Sequence, residues 1–323
     1  DLGPMAGEMG GEVMYFGPTT GVNGSLTGQY LKGEKSIPVP DLRRTPGKNS
    51  FLTIQGASQN NLKYLDVNIP LGLFVCLTGV SGSGKSTLAG DILYKAVKRL
   101  KGDSQSKPGS HKEILGYNKI VDIVMIDQRP IGRTPRANVL TYTKALEPIR
   151  KLMAKTPEAR KKKFDPGYFS FNVERGRCGT CKGEGFEKVE MQFLSDIYIT
   201  CPDCGGTRFK KEVLEVRLNG KNISDIFSMT VDEALEFFSS DSRICEALQP
   251  LKKVGMGYIR LGQPISTFSG GEAQRLKLSA YLGGTRRKKR FFIFDEPSTG
   301  LHFDDIEKLL SAMQELVEND NTV

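Results

Sequence analysis

One short turn, Gly79-Val80-Ser81-Gly82-Ser83-Gly84-Lys85-Ser86, constrains this chain more than any other stretch of it. It follows the apolar run Leu73-Phe74-Val75-Cys76-Leu77, which reads as a strand, and it precedes a helical pattern. In that setting the glycines let backbone N–H groups face phosphate oxygens, Lys85 reaches the terminal phosphates, and the Ser86 hydroxyl is a ligand for Mg²⁺. The spacing predicts a nucleotide site built from Gly79, Ser81, Gly82, Ser83, Gly84, Lys85, Ser86 and Thr87, carried on an α/β core. A glycine turn with an incidental lysine is the competing reading.

A second half of such a site lies far downstream. Phe291-Phe292-Ile293-Phe294 reads as a fully buried strand that ends in Asp295-Glu296-Pro297. Asp295 is expected to hold Mg²⁺ through water, and Glu296 to orient or deprotonate the attacking water. An acidic pair at a strand end is otherwise only a solvated turn. Between the two halves, Thr267-Phe268-Ser269-Gly270-Gly271-Glu272-Ala273-Gln274-Arg275 puts a serine and two glycines at the start of an amphipathic helix, a place where anions bind. Taken alone, it reads equally as an ordinary capped helix.

Four of the six cysteines form two pairs, Cys178-Gly179-Thr180-Cys181 and Cys201-Pro202-Asp203-Cys204. Two CxxC pairs at this separation can set four thiolates around one Zn²⁺. Disulfides are the alternative, disfavoured in an intracellular nucleotide-binding protein. Cys76 and Cys245 lie in apolar patterns and are read as core residues. Between the pairs, Glu187 to Leu194 alternates charged with apolar residues as a half-exposed strand does. Thr230 is placed to cap a helix over Val231–Phe238.

Phosphate loop, serine-glycine signature and acidic strand end, in this order, resemble the ATP-binding cassette ATPases. Further strings narrow the resemblance to the UvrA family of bacterial nucleotide excision repair, and within it to the second cassette. They are Asn60-Asn61-Leu62-Lys63, Asp127 to Arg136, Phe169-Ser170-Phe171-Asn172, Tyr258 to Gln263, and Thr299-Gly300-Leu301-His302, which together span nearly the whole chain. The resemblance implies ATP or ADP with Mg²⁺ as ligands and ATP hydrolysis as the activity. It also gives Gln128 the role of a Mg²⁺ and water ligand, so that Glu296, Gln128 and Lys85 form the catalytic set. Ser86, Gln128 and Asp295 become the magnesium ligands. In such cassettes the signature closes over a nucleotide held elsewhere, so Ser269, Gly270 and Gly271 are expected to contact ATP bound by another cassette. The implied partners are distorted or damaged duplex DNA, the first cassette of the parent protein, a second UvrA copy, and UvrB through a region of the parent not present here. The knuckles also resemble the CxxCxGxG repeats of the DnaJ chaperones, most clearly at Cys181-Lys182-Gly183-Glu184-Gly185.

Composition agrees with this class. A formal net charge of +9 and a pI near 9.1 suit an acidic partner such as nucleic acid, or describe a merely soluble basic protein. Lys161, Lys162, Lys163, Arg175 and Arg177 flank the knuckles. Arg208, Lys210 and Lys211 are the candidate DNA contacts, with a solvated basic face as the bland alternative. The run Arg286-Arg287-Lys288-Lys289-Arg290 reads as an exposed loop. No apolar stretch is long enough to cross a bilayer and no signal peptide opens the chain, so a cytoplasmic location with no membrane contact is expected.

The expected organisation is the end of a preceding cassette plus linker over 1–48, the first part of an ATP-binding core over 49–129, and an inserted signature domain over 130–262. A zinc module occupies about 175–212 of that insertion, and the signature helix and acidic strand follow over 263–323. Both ends read as cut, the second before a switch histidine that neither His111 nor His302 is placed to replace. Arg129 where UvrA usually has serine, Phe268 where leucine is common, and Ser298 where threonine is common leave open a UvrA-like paralogue of drug resistance. A transporter cassette is the remaining alternative.

Overall fold

The computed structural model describes residues 1–323 except 5, 6, 8, 9, 133, 135, 190, 192–196 and 284–288. Parts of three sequence features therefore lie outside the described residues: the end of the strand expected over Glu187–Leu194, most of the basic run 286–290, and two positions of the string Asp127–Arg136.

In chain order the elements are β1 (Leu2–Gly3), β2 (Glu12–Val13), α1 (Leu26–Leu31), β3 (Phe51–Ala57), β4 (Leu65–Pro70), α2 (Lys95–Leu100), β5 (Glu113–Leu115) and β6 (Asp122–Ile126). There follow α3 (Val139–Tyr142), α4 (Leu146–Ala154), α5 (Pro157–Lys161), β7 (Phe186–Val189), β8 (Ile197–Thr200), α6 (Lys211–Leu214), α7 (Ile223–Ser228), α8 (Val231–Phe237) and α9 (Ser242–Lys253). The last three are α10 (Gly270–Ser279), β9 (Arg290–Phe294) and α11 (Phe303–Glu318). They fall into two compact units. One comprises Asp1–Arg129, Lys253–Gly255 and Gly270–Val323, and the other Pro130–Lys252 and Met256–Ser269.

The first unit holds an antiparallel sheet in the order β4-β3-β5 and a parallel pair, β6-β9, in register from Asp122↔Arg290 to Ile126↔Phe294. The parallel layer continues through backbone bonds. The Phe292 N–H donates to Thr322 O at 2.8 Å, the Val323 N–H to Leu73 O at 3.0 Å, and the Val75 N–H to Val323 O at 2.7 Å. Each of these contacts runs parallel, so 73–75, 322–323, β9 and β6 lie side by side with their carboxyl ends on one edge. Leu52, Ile54 and Ala57 of β3 pack with Ile114, Ile123 and Phe291 against Leu88, Ile92, Leu93, Ala96 and Val97 of the helix after the phosphate loop. That helix is wound as a π-helix over Thr87–Tyr94 before it becomes α2.

Several sequence expectations are corrected here. Leu73–Leu77 forms no ladder strand beyond its bonds to Val323, and Phe74, Val75 and Leu77 are exposed. Cys76 is consequently an exposed thiol and not a core residue, while Cys245 is half-buried, its Sγ 3.3 Å from Phe238 O. The β9 strand is buried only at Phe291 and Phe292, with Ile293 and Phe294 half-covered. Helix α10 has no clean polar face either, because Ala273, Gln274, Arg275, Leu276, Leu278 and Ser279 are all buried.

The second unit is mainly helical. Its short helices start where side chains accept orphan N–H groups: Asn138 caps α3, Thr156 α5, Asn222 α7 and Thr230 α8. Thr230, the expected cap, goes further and forms a full capping box with Glu233. Phe171, Phe209 and Phe227 meet edge-to-face at 5.6 and 5.7 Å around Phe227. Phe171 and Phe209 are buried, which contributes roughly 2–3 kcal/mol each relative to exposure. The hairpin β7-β8 pairs antiparallel from Phe186↔Thr200 to Val189↔Ile197 and joins the two cysteine pairs.

Candidate functional site

The phosphate loop leaves the 73–75 segment and turns into a helix at Lys85. The Lys85 Nζ donates to the carbonyls of Gly79 and Val80, both at 2.9 Å, so the ammonium lies within the curve of its own loop. Asn61 braces the loop from outside, its Nδ2 donating to Gly82 O at 2.9 Å, and the Asn60 Nδ2 donates to Thr87 Oγ1 at 3.1 Å. Gly84 has φ +101°, and a Cβ there would stand 2.8 Å from Leu62 Cδ2. Only glycine tolerates both that backbone and that approach. Gly79, Ser81, Gly82, Ser83 and Ser86 are exposed along the loop, and Thr87 is half-buried.

Asp127-Gln128 and Asp295-Glu296 leave the carboxyl ends of the adjacent strands β6 and β9. The Gln128 Nε2 donates to Glu296 O at 3.4 Å, and Glu296 itself holds φ +44°. The carboxylates of Asp295 and Glu296 are exposed. Helix α10 ties the two strand ends together. The Gln274 Nε2, buried, donates to Ile126 O at 3.0 Å and Asp295 O at 3.2 Å. One turn on, the Lys277 Nζ donates to Asp127 O at 2.9 Å and Arg129 O at 2.7 Å. Gly270, at the start of α10, stands so near Gln128 that a Cβ would lie 3.0 Å from Oε1 and 3.1 Å from the Gln128 Cβ. Gly271 follows in the same helix, and Ser269 is the last residue of the second unit. Gln274 and Lys277 were not singled out by sequence reasoning. Their signal is an i, i+3 spacing on the helix behind the signature.

The four cysteines come together. All four Sγ atoms lie within 4.8 Å of one another, with Cys178 to Cys201 at 3.9 Å and Cys181 to Cys204 at 3.6 Å. A disulfide needs about 2.05 Å. A tetrahedron with metal–sulfur arms of about 2.3 Å has edges near 3.8 Å, so the donor set fits Zn²⁺. Burial raises the Cys181 thiol, and it pushes the Cys204 thiol up to about 12. At Cys201 burial acts the same way, but the N–H groups of Cys204 and Asp203 outweigh it and lower the thiol. The N–H of Gly185 reaches Cys181 Sγ at 3.2 Å.

Lys210 and Lys211 are exposed beside this centre, Lys210 as the residue before α6 and Lys211 at its start. Arg208 differs. Its guanidinium lies over Phe171 and Phe227, 5.7 and 6.0 Å from the ring centroids, and its Nη2 donates to Gly262 O at 3.1 Å. Burial pulls its pKa down against the fields of Cys181, Cys204 and Glu184. It is therefore no exposed member of a basic face with Lys210 and Lys211. Among the other flanking cations, Arg175 pairs with Asp165 at 2.6 Å, and Lys162 pairs with Glu215.

Among the described residues, no helix is long and apolar enough to cross a membrane. No family model matches the chain. Over its whole length the chain is 52% identical, across 325 residues, to UvrABC system protein A of Methanothermobacter thermautotrophicus, and 51% identical across 325 residues to that of Clostridium tetani. The Micrococcus luteus protein of the same name is 49% identical across 326 residues. The chain spans 34%, 34% and 33% of these relatives, about one third of their length. It also matches the crystal structure of UvrA2 from Deinococcus radiodurans with a TM-score of 0.89 and 46% identity, covering 100% of this chain and 39% of that one. Identity near one half over the whole chain means more than a shared α/β fold: this chain belongs to the UvrA family.

Proposed function

We infer that this chain is an ATP-binding and hydrolysing, zinc-containing segment of a nucleotide excision repair subunit, one that recognises distorted duplex DNA and serves to load UvrB through its parent protein. The observation that carries the reading is the common edge of one parallel layer: the loops at 79–86, 127–128 and 295–296 all leave carboxyl ends of neighbouring parallel segments. Ligands in open α/β sheets bind at that edge. There Gly79, Ser81, Gly82, Ser83, Gly84 and Thr87 cradle phosphates while Lys85 meets their terminal charge. Ser86, Gln128 and Asp295 hold Mg²⁺, which supplies charge neutralisation. Glu296 takes a proton from the attacking water. Ser269, Gly270 and Gly271 contact a nucleotide held by another cassette, either the first of the parent chain or one in a second UvrA copy.

In this reading the ATP-binding core is 49–129 plus 263–323, with 1–48 as the approach from a preceding cassette. Residues 130–262 form the inserted signature domain, whose Cys178, Cys181, Cys201 and Cys204 hold one Zn²⁺, and Lys210 and Lys211 contact DNA phosphates. The protein works in the cytoplasm. Titration with a fluorescent ATP analogue and Mg²⁺, followed by anisotropy on intact and lesion-bearing duplex, tests it, and a chain that binds neither nucleotide nor duplex refutes it. The likeness to a protein named UvrA2 supports a second reading, a UvrA-like paralogue of drug resistance. Rescue of repair-deficient cells by the full parent gene separates the two.

A further inference from the structure

Arg208 presents an imbalance. Its side chain is largely buried, yet Nη1 has no hydrogen-bond partner among the described residues, and Nη2 has one carbonyl, Gly262 O at 3.1 Å. Two ring faces, Phe171 and Phe227, cover the guanidinium. A buried cation with an orphan donor is strongly unfavourable unless a nearby anion offsets the loss of water. No carboxylate forms a close ion pair with it in the described structure. The groups whose charge, once the thiols are ionised, favours its cationic form are Cys181, Cys204 and Glu184.

The backbone of Arg208 is also built into the cysteine centre. Its carbonyl accepts the Cys178 N–H at 2.9 Å, and its own N–H bonds the Cys204 sulfur. Residue 208 holds φ +73°, a left-handed conformation that a non-glycine residue seldom takes without cause. The Arg208 stem crosses Gly185, whose missing side chain makes room: a Cβ there would stand 3.1 Å from Arg208 Cγ and 3.5 Å from Nε. Gly185 is the same residue whose N–H reaches Cys181 Sγ. Main chain and side chain of Arg208 thus converge on one sulfur cluster.

We propose that Arg208 is the charge-compensating positioning residue of the four-cysteine metal centre, its buried guanidinium offsetting the net negative charge of four thiolates around a divalent cation. This rests on the zinc reading given above. Four thiolates and one Zn²⁺ leave two negative charges in a largely buried site, and outer groups that satisfy such charge govern how tightly the metal is held. Arg208 is in this account not a phosphate contact, although the sequence sets it beside Lys210 and Lys211.

The test is metal transfer from the zinc-loaded chain to a colorimetric chelator at fixed pH, together with the sulfur-to-metal charge-transfer band of the cobalt(II)-substituted chain. Arg208→Gln is expected to release metal about 10- to 100-fold faster and to move the band to lower energy. Arg208→Lys, which keeps the charge and loses the planar fork, should stay within about threefold of the parent chain on the same scale. Glu184→Gln removes a half-exposed negative charge near the centre, one that Arg136 pairs with at 3.3 Å; it should slow release and covers the case in which Arg208→Gln does not fold. Equal release by the glutamine variant and the parent overturns the proposal, as do equal losses in the glutamine and lysine variants, or a Glu184→Gln chain that releases metal no more slowly. A parent chain that retains no metal overturns the zinc reading and this proposal together. A metal-holding parent with indistinguishable variants overturns this proposal alone.

Discussion

The imidazole of His302 and the hydroxyl of Thr27 meet at 3.2 Å, so a segment that reads as linker is fastened to the start of α11. The other ring nitrogen of His302 accepts the Asp304 N–H at 3.2 Å and caps the helix. Tyr30 stacks on Phe303 with centroids 5.3 Å apart, and Lys35 pairs with Asp304 at 2.5 Å. Lys308 and Lys35 together hold the Asp304 carboxyl below the usual carboxylate range. A depressed carboxyl stabilises the fold above its unfolded value of 3.8 and ceases to do so as pH falls through the folded value. Asp304→Asn should therefore raise amide exchange in Leu26–Leu31 about threefold or more at neutral pH, leaving β3 unchanged. The difference from the parent chain should fade on acidification below 3.8. Equal exchange in both chains at neutral pH would show α1 to be held by other means.

Gly270→Ala is expected to disturb chemistry and not folding. Alanine is favoured over glycine within a helix by up to ~1 kcal/mol, so the thermal midpoint should hold. The new methyl would press on Gln128, 3.0 Å from Oε1, and draw it from the Glu296 carbonyl. Affinity for Mg²⁺-nucleotide should drop about tenfold, equivalent to ~1.4 kcal/mol. Calorimetric titration with and without Mg²⁺ checks this, and a loss equal in both conditions counts against a role for Gln128 at the metal.

Lys85→Ala should weaken ATP and ADP binding by at least about tenfold, since no other cation within the loop would meet the terminal phosphates. Glu296→Gln should leave binding intact and lower hydrolysis about 10²- to 10⁴-fold in the full parent protein, the range typical of a lost general base. The isolated chain should turn over feebly, because in this reading its nucleotide is closed over by the signature of another cassette. Turnover by the chain alone equal to that of the parent would contradict a composite site.

Purification without chelator should yield one zinc per chain by elemental analysis, and Cys201→Ser should lower it below half. The pH dependence follows from thiolate ligation itself. Protons compete with the metal for the four sulfurs, so metal should be released as pH falls and retained as it rises. Retention that strengthens on acidification would mean that the thiolates are not the ligands.

Charge removal at Lys210 and Lys211 together should weaken intact and damaged duplex alike and reduce the slope of log K against log salt by about 2, near one per phosphate contact. Arg208→Gln should instead change metal retention first. Unchanged duplex affinity in the double lysine variant, read by anisotropy at two salt concentrations, would remove this face from the DNA surface.

What could be read in advance was local in the chain. The turn at 79–86, the Thr230 cap and the paired cysteines are short strings whose chemistry is set by neighbours a few residues away, and the Sγ cluster confirms that the pairs meet. What escaped reading depends on partners distant in sequence. Cys76 sits in an apolar run, yet it is exposed, and the run itself does not show that its neighbours Leu73 and Val75 bond to Val323. Arg208 lies in a basic string, and only the approach of Phe171, Phe227 and Gly262 takes it out of solvent. Thr27 and His302 are 275 positions apart, and nothing in either string names the other. Gln274 and Lys277 look like helix-surface residues until β6 and β9 supply the carbonyls they meet.

The near-contact of Gln128 with Gly270 bears on how the gene for such a chain can change length. The first unit breaks off after Arg129 and resumes at Gly270, apart from a brief return at Lys253–Gly255, and those two break points already touch across the first unit itself. Closing a loop between ends held together costs only about 0.6 kcal/mol for each doubling of its length. Insertions or deletions between 130 and 252 should therefore leave the first unit nearly as stable as before, and size variation among relatives should concentrate in that interval.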